Sequence, residues 1–532
     1  MSEPRILTRD PELSPLAALA LQDGAPGDWF TARARNSAEW VAQIDSVRAE
    51  FGHRSWRESL VPALSTTGAA AERLARVAAA RGVVVTTGQQ PGLFGGPMYT
   101  FSKALGALAL ADVLEAATGI PVAPVFWAAT YDADFAEASV TYLASGDHVE
   151  RLRMAPPESP PRGMSETPLG DVTPLVRLLE RGTGAAADPG VMALVRAAYR
   201  EGATVGDAFV SLLRALLEPL GIAVLDAGQA CVRQAERPLM LRALRDAAAV
   251  DAAVQARDDT LRRMGHEPVV AHVPGLSLVF TTESGVRSRV PIADAPVLAR
   301  RAPELEPNVL LRPVAERAIL PTVAYLGGPS EVAYFAQASA AAVALGAPLQ
   351  VVVPRWSGVI VEPHVQRVLD RYGLTVEDLR DADATLGRLA RDAMSGAVRD
   401  ALARARASVD DAARDLEQTI GASDPPLVPP AVTSGAQRAL QHRLDRLERR
   451  LVAAIKRREA DMVRDIFTAR AALYPLGKPQ ERVLNLMPML ARHGRSLLGM
   501  MLDRAREQMA EVVDPARDAP PLIAHGDSGS HD

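Results

Sequence analysis

A glycine-rich stretch with two glutamines carries the strongest chemical signal in this sequence. It runs over Gly88–Gly96, directly after the β-branched run Val83–Thr87 and before a helical segment. Glycines at such a turn let the backbone approach a ligand, and the helix N-terminus adds unpaired N–H groups. Gln89 and Gln90 contribute amides suited to hydroxyl-rich ligands. The spacing fits neither the dinucleotide fingerprint nor the P-loop, so a ligand loop and a structural turn both stay open.

One lysine lies on the helix that follows this loop. The segment Tyr99–Ala117 is apolar nearly all round, which predicts a buried helix. Within this apolar helix, Lys103 is either a buried contact for an anion or a side chain that extends to the surface.

A pair of carboxylates follows the next predicted strand. Asp132 and Asp134 come just after Val122–Trp127, and α/β proteins build their sites at the carboxyl ends of strands. Carboxylates there could bind an ammonium group, hold a metal or act as a general base. They could equally cap the next turn.

Two arginines and a glutamate form the third group of candidates. Arg312 and Arg355 suit bidentate contacts to carboxylate or phosphate, although structural ion pairs are an equal alternative. Glu331 follows Gly328 near the start of a helix, where it could orient a site or only complement the helix dipole.

Two strand–helix–strand units would bring these residues together. The first is Val83–Thr87, Tyr99–Ala117 and Val122–Trp127, and the second is Thr322–Leu326, Glu331–Ala344 and Leu349–Val353. Further strand candidates are Ile222–Leu225, Val269–Val273 and Leu278–Thr281. Strand–helix–strand units imply a parallel sheet, so the fold class is α/β.

The last third of the sequence has a different character. Apolar residues recur at coiled-coil spacing from Val398 to Leu416 and again from Leu440 to Ile455. The proline-rich link Asp424–Pro430 must break the helix between them. The pattern predicts an antiparallel hairpin, either as a dimerisation arm or as a helical subdomain packed on the core.

Composition narrows the class of protein. A chain of 532 residues exceeds one ordinary core, and a net charge of −5 argues against nucleic acid as a partner. The single cysteine, Cys231, excludes an intrachain disulfide and a cysteine-rich zinc site, and the histidines lack ligand spacing, so no metal site is predicted. We see neither a secretory signal nor a membrane span, and expect a cytoplasmic protein without a membrane partner.

Several motifs in order resemble one family, the cysteine-adding ligases of bacillithiol biosynthesis. The motifs are Thr87–Gly92 with Gly96 and Pro97, Pro124–Trp127, the box Asp132–Phe135, Asn308–Pro313, Gly328–Tyr334, Pro354 with Arg355, and Gln480–Asn485. The resemblance covers essentially the whole chain, including the hairpin.

The resemblance implies a Rossmann-type parallel-sheet core with inserted connecting segments, plus a long antiparallel α-helical coiled-coil hairpin that forms a homodimer. The predicted domains are a core over 1–382 with insertions at about 150–220 and 230–310, an arm over 383–472, a segment over 473–515 that returns to the core, and a disordered tail over 516–532. The implied reaction joins L-cysteine to the amine of glucosaminyl malate. ATP or ADP is a possible cofactor that the chemistry suggests and no motif indicates.

The site residues follow from the motifs and the resemblance together. Asp132, Asp134 and Glu331 are predicted as catalytic, the aspartates holding the ammonium or accepting its proton. The predicted substrate-binding residues are Gly88, Gln89, Gln90, Gly92, Gly96, Lys103, Trp127, Asn308, Arg312, Gly328, Tyr334 and Arg355. The glycine loop and Lys103 are expected to hold substrate or phosphate oxygens, and the two arginines to anchor malyl or phosphate anions.

The chain departs from the family pattern in the acidic box. Tyr131 and Ala133 stand where the family usually has Glu and His. This departure leaves open another ATP-dependent amide-forming or nucleotidyl-transfer enzyme of the same fold. A non-catalytic dimeric scaffold is the alternative from a different class.

Overall fold

The computed structural model describes residues 3–22, 26–52, 54–158, 163–184, 188–283, 286–301, 304–422 and 428–515. The described residues within 4–143, 151–360 and 481–515 form a larger unit, and those within 144–150 and 361–480, with Glu3, form a smaller one. Most of the predicted proline-rich link and the whole predicted tail 516–532 lie outside the described residues.

The strands belong to several sheets. They are β1 Arg5–Thr8, β2 Val83–Gln89, β3 Val122–Ala128, β4 Val140–Ser145, β5 His148–Arg153, β6 Ala223–Asp226, β7 Leu276–Glu283, β8 Val286–Pro291, β9 Leu305–Pro307, β10 Thr322–Gly327, β11 Val351–Pro354 and β12 Gly358–Val361. A five-stranded sheet has the order β11-β10-β2-β3-β6, and a three-stranded antiparallel sheet has the order β8-β7-β9. Strands β1 with β12 and β4 with β5 form two-stranded sheets.

Helices make up most of the remaining structure. In the larger unit they are α1 Pro15–Leu19, α2 Ser37–Phe51, α3 Trp56–Ser59, α4 Gly68–Ala79, α5 Tyr99–Thr118, α6 Phe135–Ala138, α7 Thr173–Thr183, α8 Pro189–Ala198, α9 Val205–Leu217, α10 Ala230–Arg245, α11 Ala247–Arg263, α12 Ala295–Arg301, α13 Arg312–Ile319, α14 Pro329–Ala344, α20 Met487–His493 and α21 Ser496–Val513. In the smaller unit they are α15 Pro363–Tyr372, α16 Ala382–Asp392, α17 Gly396–Gly421, α18 Pro430–Arg458 and α19 Ala460–Leu473.

The five-stranded sheet is parallel throughout and forms the core of the larger unit. Its central strands β2 and β3 are almost wholly buried, as strands covered by helices on both faces must be. Helix α5 is buried along most of its length and packs against both strands, as its all-round apolar sequence predicts. The predicted α/β class with a Rossmann-like parallel sheet is confirmed.

One predicted strand is wrong. Residues 269–273 form no strand, and Val269 and Val273 are 43% and 41% exposed. The backbone of Val270 bonds instead with the Gln337 side chain, at 3.0 Å for its N–H and 2.9 Å for its carbonyl. The side-chain amide thereby satisfies the polar groups that a neighbouring strand would otherwise pair.

The smaller unit contains the predicted helical hairpin. Helices α17 and α18 pack on each other through polar groups: Gln437 and Gln441 donate to Asp410 at 2.7 and 2.9 Å, and Arg406 pairs with Glu448. Neither helix has a single buried residue. Among the described residues, no helix is both long and apolar enough to cross a membrane.

Candidate active site

The parallel sheet brings the predicted motifs to one edge. Gly88 pairs in register with Trp127, and Thr87 pairs with Leu326, so β2, β3 and β10 end side by side. The polar residues that follow each strand therefore meet at the carboxyl edge, where doubly wound sheets place their ligands.

Lys103 is the centre of this edge. Its side chain is only 4% exposed and forms an ion pair with Glu331. The ammonium also donates to the Gly88 carbonyl at 2.8 Å and to Gln89 Oε1 at 3.0 Å. Three acceptors match the three N–H donors of a charged lysine, so Lys103 is a buried cation and does not extend to the surface.

Glu331 holds this cation from the start of α14. Its Oε1 accepts the Tyr325 hydroxyl at 2.6 Å and its Oε2 accepts the Gly328 N–H at 2.7 Å. Burial acts to raise the pKa of Glu331, but the charge of Lys103 and the hydrogen bonds from Lys103, Tyr325 and Gly328 outweigh it, so the pKa lies below its ordinary value. Burial lowers the pKa of Lys103, and Glu331 opposes that shift.

Arg355 is tied to the C-terminal part of the larger unit. It binds Glu481 in a bidentate ion pair with both contacts at 2.7 Å. Its guanidinium lies 5.7 Å from the centre of the Tyr99 ring, whose hydroxyl accepts a hydrogen bond from Gln89 Nε2 at 3.3 Å. Ser357 also donates to Glu481 at 2.7 Å. Arg355 therefore lies beside the lysine, with its charge already matched by a buried carboxylate.

Arg312 lies at the start of α13, on the other side of Tyr325. It bonds to the fully buried Glu316 at 2.8 Å and to the Tyr334 hydroxyl at 3.4 Å. Its guanidinium stacks 4.8 Å from the centre of the Tyr325 ring. Because Tyr325 also bonds to Glu331, Arg312 and Lys103 belong to one polar network. The alternative of a structural ion pair, left open for both arginines, is present in the structure.

The acidic box caps a short helix. Asp132 Oδ1 accepts the Asp134 N–H at 2.9 Å, and Asp134 Oδ1 accepts the Glu137 N–H at 3.0 Å as the N-cap of α6. The capping alternative thus applies to both aspartates, through one oxygen of each. Their predicted catalytic role stays a prediction.

Glu137 is a site residue that the sequence motifs did not indicate. It lies two residues after the box and hydrogen-bonds with the Gln90 side chain. Burial, and then the carboxylates of Asp134 and Asp132, raise its pKa, while Lys103 acts in the opposite direction. A carboxyl group with a raised pKa beside a cation is a candidate general base.

The glycine loop is a tightly packed turn. A Cβ on Gly92 would lie 2.7 Å from the Gly96 Cα, and one on Gly88 would lie 3.0 Å from the Trp127 carbonyl oxygen, so larger residues do not fit. The N–H groups of Gly95, Gly96 and Met98 all donate to backbone carbonyls. These three N–H groups are thus already bonded within the protein, and the expectation that the loop and Lys103 hold substrate or phosphate oxygens stays a prediction.

A buried asparagine from the C-terminal segment fixes this loop. Asn485 Nδ2 contacts the carbonyls of Leu93, Phe94 and Gly96 at 3.2, 3.0 and 3.1 Å, and Thr141 Oγ1 at 3.1 Å. Asn485 is 2% exposed, so these contacts are shielded from water. A local reading of the loop could not find a partner nearly 400 residues away.

Two of the predicted substrate-binding residues, Trp127 and Asn308, have contacts that stabilise the fold. The Trp127 ring is 1% exposed and packs in an apolar cluster with Leu74 and Leu225. Asn308 Oδ1 accepts the N–H groups of Leu310 and Leu311 at 3.1 and 2.9 Å, ahead of α13. Substrate contacts from either residue remain predictions.

A cavity of about 390 Å³ contains none of the predicted site residues. It is lined by Phe51, Arg54, Ser55, Trp56, Ser59, Cys231, Gln234, Ala235, Ala318 and Ile319. A ligand bound in this cavity, and not at the carboxyl edge, would show that the site had been placed wrongly.

The fold and the polar edge define a Rossmann-like α/β protein with a C-terminal coiled-coil hairpin. Family profiles match nearly the whole chain: "Bacillithiol biosynthesis BshC, N-terminal Rossmann-like domain" over residues 22–296 and 295–356, and "Bacillithiol biosynthesis BshC, C-terminal coiled-coil domain" over residues 358–511. The chain belongs to the BshC family of bacillithiol biosynthesis, as the resemblance implied.

Relatives support the same assignment across most of the chain. A protein of Solibacter usitatus (strain Ellin6076) named "Putative cysteine ligase BshC" is 33% identical over 464 residues, covering 84% of this chain and 87% of that protein. The protein of the same name from Salinibacter ruber (strain DSM 13855 / M31) is 32% identical over 507 residues, covering 90% of this chain and 91% of its own length. A third, from Koribacter versatilis (strain Ellin345), is 30% identical over 488 residues, covering 87% and 90%.

Proposed function

We propose that this protein is a ligase that joins L-cysteine to the amine of glucosaminyl malate by a carbon–nitrogen bond. The observation that carries the proposal is the Lys103–Glu331 pair with Gln89, a polar network at the carboxyl edge in a chain of the BshC family. We place the reaction in the cytoplasm, because a chain with one cysteine requires no oxidising compartment.

The amine acceptor must lose a proton before it can attack a carboxyl carbon. The acidic box and Glu137 form the side of the site that suits an ammonium group, because burial and then the carboxylates of Asp134 and Asp132 raise the pKa of Glu137. In this proposal Asp132 and Asp134 bind the ammonium, and Glu137 accepts its proton. Lys103 lies within electrostatic range of Glu137 and stabilises the charged carboxylate before the transfer.

The cysteine carboxylate must be activated, and ATP is the cofactor that this chemistry suggests. Several groups at the edge that could contact a phosphate already have partners within the protein. The N–H groups of Gly95, Gly96 and Met98 are bonded to carbonyls, the Gly328 N–H is bonded to Glu331, and both site arginines are paired with glutamates. We therefore assign no step to a nucleotide.

A direct assay tests the activity. The purified protein is incubated with L-cysteine and glucosaminyl malate, with and without ATP, and the amide product is measured by mass spectrometry. We expect product in the complete mixture and a loss of at least about tenfold in Asp134→Asn, because removal of one charged contact costs roughly 1.5–3 kcal/mol. Asparagine is also a good N-cap, so the variant should fold.

Asp188→Asn is the matched control. Asp188 caps α8 through its contact with the Gly190 N–H at 2.8 Å, outside the predicted site, and its replacement should leave the rate unchanged. Full activity in both Asp134→Asn and Arg312→Ala would refute the assigned roles. Absence of product from the complete mixture would refute the proposed reaction itself.

We also propose that α18 mediates homodimerisation. Leu440 and Leu447 are 49% and 47% exposed and lie seven residues apart, on one face of the helix. The contacts with α17 use the polar residues Gln437, Gln441 and Glu448 instead. An apolar stripe that its own hairpin leaves uncovered is suited to a second copy of the arm.

A further inference from the structure

One buried carboxyl group in the larger unit has no role in the mechanism above. Glu236 lies on α10 and is 3% exposed, and its Oε1 has no hydrogen-bond partner in the described part of the chain. A buried polar atom without a partner is unfavourable, so it calls for a partner such as a water molecule, an ion or a ligand group.

The surroundings of Glu236 come from the edge already described. Helix α10 packs against α13 and against β9. The charged groups that act on Glu236 are Glu306 from β9, Arg312 and Glu316 from α13, and Arg233 from its own helix. Arg312 lies at the carboxyl edge, so Glu236 extends the polar network rather than forming an isolated defect.

The neighbouring charges already have partners. Arg312 is paired with Glu316 at 2.8 Å, and Glu306 is paired with Arg287 at 2.7 Å. An ionised Glu236 would therefore add a negative charge that these pairs leave unmatched. A bound cation would balance this negative charge.

Tyr131 links Glu236 to the acidic box. Tyr131 is only partly buried, and both Glu236 and Asp132 act electrostatically on its phenol. The carboxyl of Glu236 and the carboxylates of the box thus lie around the same tyrosine.

We propose that Glu236 completes the binding site for the ammonium group of the acceptor amine, together with the aspartates of the acidic box and next to Arg312. This inference rests on the proposed ligase function and deepens it by naming a further carboxyl group that contacts the amine. Arg312 is adjacent to contact an anionic group of the same molecule, such as a malyl carboxylate.

Binding in this way moves one proton. Burial, followed by the charge of Glu306, raises the pKa of Glu236 to about 8, although Arg312 opposes the shift. At pH 7 the carboxyl is therefore mainly protonated. When an ammonium group R–NH₃⁺ binds, Glu236–COOH becomes Glu236–COO⁻ paired with R–NH₃⁺, and the released proton passes to the solvent.

Calorimetric titration with glucosaminyl malate tests the inference. Heats measured at pH 7 in buffers of different ionisation enthalpy give the number of protons released on binding. We expect close to one proton for the wild-type protein and close to none for Glu236→Gln. The variant should bind about 10- to 100-fold more weakly, since it lacks a hydrogen bond to a charged group.

A second probe needs no variant. N-acetylated glucosaminyl malate has no ammonium group, so the wild-type protein should bind it more weakly and without proton release. Equal affinity and equal proton release in wild type and Glu236→Gln would overturn the assignment of Glu236 while leaving the ligase function intact. No binding of glucosaminyl malate to the wild-type protein would overturn both.

Discussion

Replacement of Glu331 by glutamine should strongly destabilise the larger unit. The change keeps the size of the side chain but removes the negative charge from the Lys103 pair. Lys103 is 4% exposed and keeps only the Gly88 carbonyl and Gln89 Oε1 as partners, so a buried cation is left without a counter-charge.

The size of the effect follows from these contacts. Breaking a buried ion pair from one side typically costs about 3–5 kcal/mol. Glu331 is 21% exposed, and water reaching it favours the lower part of that range. The two carboxylate oxygens of Glu331 accept hydrogen bonds from Tyr325 and Gly328, whereas glutamine has only one acceptor oxygen. The loss of one hydrogen bond adds about 1 kcal/mol to the cost. We expect a loss of about 4 kcal/mol in the free energy of unfolding at pH 7.

The loss should shrink as the pH rises toward about 10. Burial already lowers the pKa of Lys103, and without Glu331 that pKa falls further. The unfolded chain then binds more protons than the folded chain, so stability increases with pH until the unfolded lysine also loses its proton.

Urea unfolding followed by tryptophan fluorescence measures this change. Every tryptophan of the chain lies in the larger unit, so the signal reports on that unit. Glu507→Gln is the matched control, because Glu507 pairs with Arg504 at the surface, with side chains 62% and 48% exposed, and its loss should cost less than about 0.5 kcal/mol.

A double variant separates the ion pair from general disruption. Lys103→Met combined with Glu331→Gln removes both charges and should be more stable than Glu331→Gln alone. Two results would contradict a buried ion pair. One is a loss in the free energy of unfolding for Glu331→Gln no larger than that of the surface control, and the other is a double variant less stable than either single variant.

Three further results are expected. Asn485→Ala should lower the free energy of unfolding by about 2–4 kcal/mol in urea titrations, because several loop carbonyls lose their donor; a loss below about 1 kcal/mol would contradict the role of this residue. The free energy of unfolding of the wild-type protein should fall as the pH rises from about 5 to about 8, because the raised pKa of Glu236, about 8, lets the folded state bind one more proton than the unfolded state in this range. Glu236→Gln should flatten that part of the pH profile, and identical profiles would contradict a buried, protonated carboxyl group. Leu440→Glu with Leu447→Glu should convert a dimer into a folded monomer by light scattering, while Arg443→Glu on the same helix should not; an unchanged mass for the double variant would contradict the proposed interface.

The core of the fold could be predicted because its signals are local. Val83–Thr87 and Val122–Trp127 are short apolar runs between turn residues, and the intervening helix is apolar on every side. This succession of strand, apolar helix and strand predicts a buried parallel unit. Residues 269–273 show the limit: their apolar pattern resembles a strand, but the Gln337 side chain satisfies the backbone of Val270 instead.

The site could be predicted only in part, for the same reason. Lys103, Glu331 and Gln89 follow strands or begin helices, so topology alone brings them together. Asn485 belongs to the motif Gln480–Asn485, but its role could not be predicted, because it depends on carbonyls of a distant loop. Glu236 lies in none of the motifs, and its importance depends on charges contributed by distant segments. Long-range contacts of this kind appear only once the chain is folded.

The most direct test of the central claim is a crystal structure of the protein with glucosaminyl malate bound. We predict that the ligand lies at the carboxyl edge of the parallel sheet, between Gln89 and Arg312, with its amine next to both the acidic box and Glu236. A ligand bound instead in the cavity lined by Trp56 and Cys231, with the carboxyl edge unchanged, would contradict the claim.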